Sequence, residues 1–162
     1  MSKFMFQYYM DYEDGKMARF NTTGELEIPV NIFIDNVADY LDAKEGPCSI
    51  EVNGMGSSIQ IFESEEAYYA SDMKLDVISM IPMGTFPADP NNKDFEESPR
   101  IIFSGKALRV EWDPEAEDGN PNYRVLIETL EMQFYLYLRS DQQIKPGYVL
   151  HGVAWLFGDL EM

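Results

Sequence analysis

The side chains that could carry out covalent chemistry are few, and their spacing matches no catalytic pattern. Cys48 and His151 are the only cysteine and the only histidine, so a thiolate with a neighbouring base could form only from these two. Glu63, Glu65 and Glu66 could include the acid and base pair that glycosidases require. A chain with 29 acidic residues contains many such pairs by chance. The sequence therefore predicts no catalytic residue.

Metal and nucleotide motifs are incomplete. Residues 113–120 are as acidic as a calcium-binding loop, but the EF-hand pattern needs glycine at its sixth position and glutamate at its twelfth, where this chain has Asp118 and Arg124. No spacing of cysteine or histidine suits zinc. Residues 54–59 begin like a dinucleotide-binding motif but lack its third glycine. We therefore predict no metal and no cofactor, and interpret 113–120 as a solvated acidic loop.

The aromatic residues give a clearer signal, which indicates binding. Tyr135 and Tyr137 share one face of a predicted strand, because successive side chains of a strand point to opposite sides. Tyrosine suits a binding surface, since it is large, stiff and polar at its tip. Packing beneath a second layer of the protein is the alternative interpretation. The residues predicted to bind are Trp155, His151, Tyr135, Tyr137 and Trp112.

The last stretch of the chain, residues 147–160, is predicted to be the strand around which the fold is organised. It places His151 and Trp155 on one face, while Gly152 and Gly158 lie on the other. Both faces are apolar, and a strand with two apolar faces must be covered on both sides. We therefore expect this strand to be central, and Trp155→Ala to reduce the free energy of unfolding by roughly 3–5 kcal/mol, as deletion of a buried aromatic does.

The rest of the chain alternates in short runs separated by turn residues, which is typical of strands. Asn53-Gly54 predicts a hairpin turn. One or two short helices are expected, near 37–41 and after Ser64. The prediction is a mainly β protein with one barrel-like domain over residues 1–162. It is either an antiparallel β-barrel of the OB-like type, which the glycines of the last strand favour, or a two-sheet sandwich.

Composition limits the possible partners. The chain has 12 basic and 29 acidic residues, a formal net charge of −17, and the acidity is spread over the whole length. Such a surface repels phosphate backbones and anionic lipid, so we expect no direct binding to nucleic acid and none to membranes. No signal-peptide core and no membrane-spanning run of about 20 apolar residues is present. With a single cysteine, this predicts a cytoplasmic protein.

The closing segment also carries a resemblance. PGYVLHGVAWLFGDL, with IIFSGKAL and SMIPMGTF upstream, resembles small uncharacterised bacterial proteins whose last strand reads G-x-x-W-L-x-G. Here those positions are Gly152, Trp155, Leu156 and Gly158. The resemblance covers the C-terminal half of the chain. It implies a small OB-like β-barrel and implies no activity.

Three kinds of function fit these observations. The first is a non-enzymatic binding domain whose acidic, tyrosine-rich surface meets a basic protein or a small ligand, as in an immunity-type protein that blocks a basic toxin or in a nucleic-acid mimic. The second is a carboxylate-based hydrolase with a cleft bordered by the loops 82–99 and 113–121. The third is a homo-oligomeric structural protein. The absence of catalytic motifs favours the first.

Overall fold

A computed structural model describes residues 1–87 and 89–162, so that position 88, within the predicted 82–99 loop, lies outside the described residues. A short α-helix, α1 (Glu65–Tyr69), and one 3₁₀ turn at Val37–Tyr40 accompany the strands. The strands are β1 (Ser2–Tyr12), β2 (Gly15–Thr22), β3 (Pro29–Ile34), β4 (Gly46–Phe62), β5 (Ser79–Pro82), β6 (Arg100–Trp112), β7 (Tyr123–Thr129), β8 (Met132–Leu138) and β9 (Val149–Glu161).

The nine strands form one sheet in the order β1-β2-β3-β9-β4-β8-β7-β6-β5. Two further pairings, β1 with β4 and β9 with β6, close this order into two rings of five strands that share β4 and β9. The prediction of a mainly β fold is confirmed. The prediction of a wholly antiparallel sheet is wrong, because β3 pairs with β9 and β4 with β8 in parallel. Strand directions can alternate fully only around an even-numbered ring, so each five-stranded ring requires a parallel pair.

The long strands β4 and β9 belong to both rings because they change partners along their length. β4 pairs with β1 through residues 46–50 and with β8 through residues 53–55, while β9 runs along its other edge. The hairpin predicted at Asn53-Gly54 is wrong, since β4 is one strand of 17 residues with an irregularity between Ser57 and Gln60. A Cβ at Gly54 would lie 3.1 Å from both Ala154 and Phe134, so this glycine permits close packing and does not form a turn.

The central position predicted for β9 is correct, but the expected cover on both of its faces is wrong for one of them. The even-numbered residues from Leu150 to Leu160 are buried. The odd-numbered ones from His151 to Phe157 are half-buried and Asp159 is exposed. Successive side chains of a strand point to opposite faces, so burial of one face leaves the other outside. That face limits its own exposure by packing aromatic side chains against one another.

The main core is one cluster of buried side chains to which the strands of both rings contribute. Phe20 of β2 packs against Phe4 and Phe6 of β1. Phe103 of β6 packs edge to face on Phe134 of β8, with their aromatic centroids 5.1 Å apart. A second, smaller cluster on the outside joins Tyr68 of α1 to Val77 and Val149. Neither helical segment of the described residues is long and apolar enough to cross a membrane.

Candidate interaction surface

An aromatic surface lies on the outer side of β9 and its neighbouring strands. The ring centroids of Trp155 and Phe33 are 5.4 Å apart, those of Trp155 and Phe157 are 6.0 Å apart, and Phe157 stacks on Tyr137 at 6.5 Å. Every one of these rings is half-buried, so part of each remains accessible. We call this surface the aromatic face and define it by Tyr12, Phe33, Tyr135, Tyr137, Trp155 and Phe157.

The register of β4 with its two neighbours assembles the aromatic face. Met55 is opposite Trp155 of β9 on one side and opposite Tyr137 of β8 on the other. Asn53 is likewise opposite Phe157 and Tyr135. Residues opposite each other on paired strands share one side of the sheet, so the side chains form two adjacent rows. Met55, which is 42% exposed, lies in the middle of the first row.

Arg124 of β7 fixes the two tyrosines. Its guanidinium carbon lies 3.6 Å from the ring centroid of Tyr135, and its Nε donates to the hydroxyl of Tyr137 at 3.0 Å. Its Nη1 donates to Glu111 at 2.6 Å and its Nη2 to Glu51 at 3.4 Å. The hydrogen bond to Glu111 raises the pKa of Arg124 above its usual range. The cation is therefore compensated by two carboxylates, and it makes this end of the aromatic face stiff.

Three carboxylates and the guanidinium of Arg124 line a cavity of about 340 Å³ beside Tyr137. Asp35, Glu51 and Asp159 line this cavity, and Glu51 is opposite Asp159 in the pairing of β4 with β9. Burial, and then the charge of Asp159, raises the pKa of Asp35. Negative charge is thus concentrated at one end of the aromatic face, where it favours a positively charged group of a ligand.

His151 lies on the same strand as Trp155 but belongs to a different environment. Its Nδ1 is 2.8 Å from the hydroxyl of Ser104, which is 2.8 Å from the hydroxyl of Tyr68. A serine beside a histidine can be a nucleophile, but Ser104 is 0% exposed, so no substrate reaches it. The three side chains attach α1 to the sheet. His151 is four residues from Trp155 along β9, which is about 13 Å in an extended strand.

His151 is expected to make stability depend on pH. Burial lowers the pKa of His151, and a hydrogen bond with the Phe103 backbone opposes part of that effect. Near pH 6 the unfolded chain therefore binds more protons than the folded one. Relative to His151→Gln, the wild-type free energy of unfolding should fall as pH drops through about 6.5 and level off below the folded-state pKa. Urea unfolding of both proteins at a series of pH values around 6.5 measures this difference in stability. If the difference did not change with pH, the folded state would not lower the pKa of His151.

Trp112 lies outside the aromatic face. It is 63% exposed at the end of β6, where it lines another cavity together with Asp113 and Arg139.

Of the five residues predicted to bind, Trp155, Tyr135 and Tyr137 come together, whereas His151 and Trp112 occupy two other places. The sequence did not identify Arg124 or Met55 as members of the surface. Phe157 could have been found, since it shares a strand face with Trp155.

Trp155→Ala is expected to reduce the free energy of unfolding by about 2 kcal/mol, less than the sequence suggested, because the half-buried indole loses only part of the contact area of a buried one. Trp112→Ala is the matched control and should change it by less than about 0.5 kcal/mol. Urea unfolding monitored by circular dichroism measures both. Equal effects of the two substitutions would show that the indole of Trp155 does not pack on the aromatic face.

The acidic loop between β6 and β7 is exposed, and Arg139 fixes it by donating to the carbonyls of Glu117 and Asn120, both at 2.9 Å. Asp113→Asn and Glu115→Gln should leave the free energy of unfolding within about 0.5 kcal/mol of wild type, or raise it slightly, since both side chains face water. Thermal melts with and without calcium measure this. A calcium-dependent loss of stability in the variants would instead indicate a metal site.

Cys48 and His151 do not form a catalytic pair. Cys48 is near the start of β4, beside the end of β9, whereas His151 is opposite Gln60 near the end of β4, roughly 40 Å along the strand. Burial raises the pKa of the Cys48 thiol to about 11.

Among the described residues, no group of three or more histidine, cysteine or acidic side chains could hold a metal ion. No protein-family model, curated protein or solved structure matches the chain.

Proposed function

We propose that this protein is a non-enzymatic interaction domain and that its aromatic face binds a basic protein. The observation that carries the proposal is a half-exposed patch in which Met55 lies between Trp155 and Tyr137. Arg124 holds Tyr137 and its neighbour Tyr135 in place. Tryptophan, tyrosine, methionine and arginine are the residues enriched at the centres of protein interfaces, and a few of them supply most of the binding energy.

The charges around the aromatic face support a basic partner. Asp35, Glu51 and Asp159 lie at one end, and the formal charge of −17 attracts a positively charged protein from a distance. Two cations oppose this attraction locally, since Arg100 and Arg109 are exposed on β6, opposite Trp155 and Leu126 respectively. The partner is therefore expected to place apolar side chains over Met55 and its cations over the carboxylates. Electrostatic attraction of this kind mainly accelerates association and weakens with salt.

The test compares Met55→Arg with Leu108→Arg. Both side chains are exposed to a similar extent, 42% and 41%, but only Met55 lies within the aromatic face. Wild type and both variants are used as bait in a lysate of the source organism, at low and at high salt. We expect wild type and Leu108→Arg to capture the same basic protein, released by salt, and Met55→Arg to lose it. With the purified partner, Met55→Arg should raise Kd by at least about 30-fold, the effect of one hot-spot residue.

Three outcomes would contradict the proposal. If no captured protein distinguishes Met55→Arg from Leu108→Arg, the aromatic face is not the binding surface. If the protein lost by Met55→Arg is acidic, the charge argument is wrong. Self-association is the third outcome, which sedimentation velocity detects: a dimer of wild type and Leu108→Arg that Met55→Arg dissociates would favour the homo-oligomer. A second copy brings another charge of −17, which opposes that outcome at low salt.

The alternative of a carboxylate-based hydrolase has less support. The loop 82–99 precedes the first residue of β6 and the loop 113–121 follows its last residue. β6 has 13 residues, so an extended strand of this length separates the two loops by roughly 40 Å. A single cleft bordered by both loops is hard to build across that distance.

We also propose that the two rings are small barrels of the OB-like type. Each contains five strands, the number in an OB-fold, and the strict burial alternation of β7 and β8 supports a wall with one inner face. The resemblance of the last strand to small bacterial proteins stays a prediction.

A further inference from the structure

A second concave site lies at the opposite end of β6 from the loop 82–99. It is a cavity of about 310 Å³ between the loop that follows β6 and the loop that follows β8. Trp112 forms one wall, and its register partner Tyr123 is a buried part of the lining. We call it the tryptophan pocket and define it by Trp112, Asp113, Pro114, Tyr123, Arg139 and Asp141. It is separate from the aromatic face and does not depend on the function proposed for that face.

The walls of the tryptophan pocket are held by hydrogen bonds within the protein. The Asn122 side chain donates to the Ser140 carbonyl and accepts from the Ser140 amide, both at 2.9 Å. Asp113 N donates to the Asn122 carbonyl at 2.9 Å, which closes the base of the loop after β6. Arg139 joins the far part of that loop through two carbonyls. The pocket is thus largely formed before any ligand arrives, as small-molecule sites usually are.

The chemistry of the lining favours a cation with an apolar body. Trp112 and Pro114 provide apolar surface, and the exposed carboxylates of Asp113 and Asp141 provide negative charge. The one cation in the lining is Arg139, whose guanidinium is occupied by two backbone carbonyls and, at 3.4 Å, by Asp118. Indole is the aromatic group that attracts a cation most strongly. An anion would face two carboxylates.

We propose that the tryptophan pocket binds an alkylammonium ion, with the cation against the indole of Trp112 and balanced by Asp113 and Asp141. The ion has two possible sources, a free quaternary ammonium compound or the lysine side chain of a protein. Both share a compact positive head on an apolar stem, which is the shape and charge that the lining accepts.

Nuclear magnetic resonance of the indole N–H groups tests the proposal on the intact protein. The chain has two tryptophans, so the spectrum holds two indole signals, and Trp112→Phe identifies which belongs to Trp112. The probes are choline and 3,3-dimethylbutan-1-ol, which has the same shape without the charge. We expect choline to shift the Trp112 signal saturably while the Trp155 signal stays in place. The neutral alcohol should bind at least about tenfold more weakly, because it lacks the positive charge that the face of the indole ring attracts.

Paired variants test the carboxylates. Asp113→Asn with Asp141→Asn should weaken choline binding several-fold, whereas Glu115→Gln with Glu117→Gln removes the same charge from side chains outside the lining and should leave it nearly unchanged. Nα-acetyl-lysine N-methylamide is the second ligand: tighter binding than choline assigns the pocket to a lysine of a protein, and weaker binding assigns it to a free quaternary ammonium ion. The proposal is overturned if choline gives no saturable shift, if the neutral alcohol binds equally well, or if the two double variants bind alike.

Discussion

Arg19→Ala is expected to reduce the free energy of unfolding by about 2–3 kcal/mol, because it removes a buried guanidinium that makes charge-assisted hydrogen bonds. Arg19 is 6% exposed, and its Nη2 donates to Glu97 at 2.6 Å and to the Thr85 carbonyl at 3.2 Å. Its Nε donates to the buried side chain of Asn31 at 2.7 Å. Without the guanidinium, the buried amide of Asn31 loses a charge-assisted partner in a place that water reaches poorly. Glu97, whose side chain is 37% exposed, is left to the solvent.

The same substitution should loosen the segment between β5 and β6. Arg19 lies between the rings of Tyr8 and Phe86, at 5.7 and 5.0 Å from their centroids, and so attaches this segment to β2. Urea unfolding measures the stability, and limited proteolysis should cut the Arg19→Ala variant faster between β5 and β6. Arg109→Ala is the control, since Arg109 is exposed and should change stability by less than about 0.5 kcal/mol. Equal effects of the two substitutions would contradict the role given to Arg19.

Gly158→Ala is expected to cost about 3 kcal/mol, at the upper end of the usual range for overpacking a core. A Cβ at this position would lie 2.5 Å from the carbonyl oxygen of Glu51 and 2.9 Å from Cγ2 of Ile50. The first of these atoms belongs to the backbone of β4, which cannot retreat without breaking its pairing with β9. Gly158 also accepts a hydrogen bond from the Asp35 amide at 2.9 Å, where β3 meets β9. The substitution therefore strains the junction of both rings.

Gly46→Ala provides the matched control for that prediction. It lies at the start of β4, and the nearest atom to its added Cβ is a backbone oxygen 3.8 Å away, an ordinary contact. We expect its free energy of unfolding within about 0.5 kcal/mol of wild type, measured in the same urea titration. If Gly158→Ala were no less stable than Gly46→Ala, the close approach of β4 and β9 at this point would be wrong.

The sequence alone determined most of the strands, β4 excepted, and which neighbours in the chain share a face. Alternation has a period of two residues and is local, so it correctly placed Tyr135 with Tyr137 and His151 with Trp155. Composition likewise showed that the chain is strongly acidic over its whole length. These properties depend on the covalent chain and on burial of one side of each strand, and they need no knowledge of distant partners.

Only the tertiary structure decided which strands lie side by side and which face points outward. Alternation does not say that Met55 separates Trp155 from Tyr137, because that depends on the register of β4 with two strands that are distant from it in the chain. An outer face of aromatic residues that cover one another has the same sequence pattern as a buried face, so β9 was expected to be covered on both sides. Glycine is ambiguous in the same way. The pattern Asn53-Gly54 predicts a turn, yet Gly54 permits the close packing of neighbouring strands.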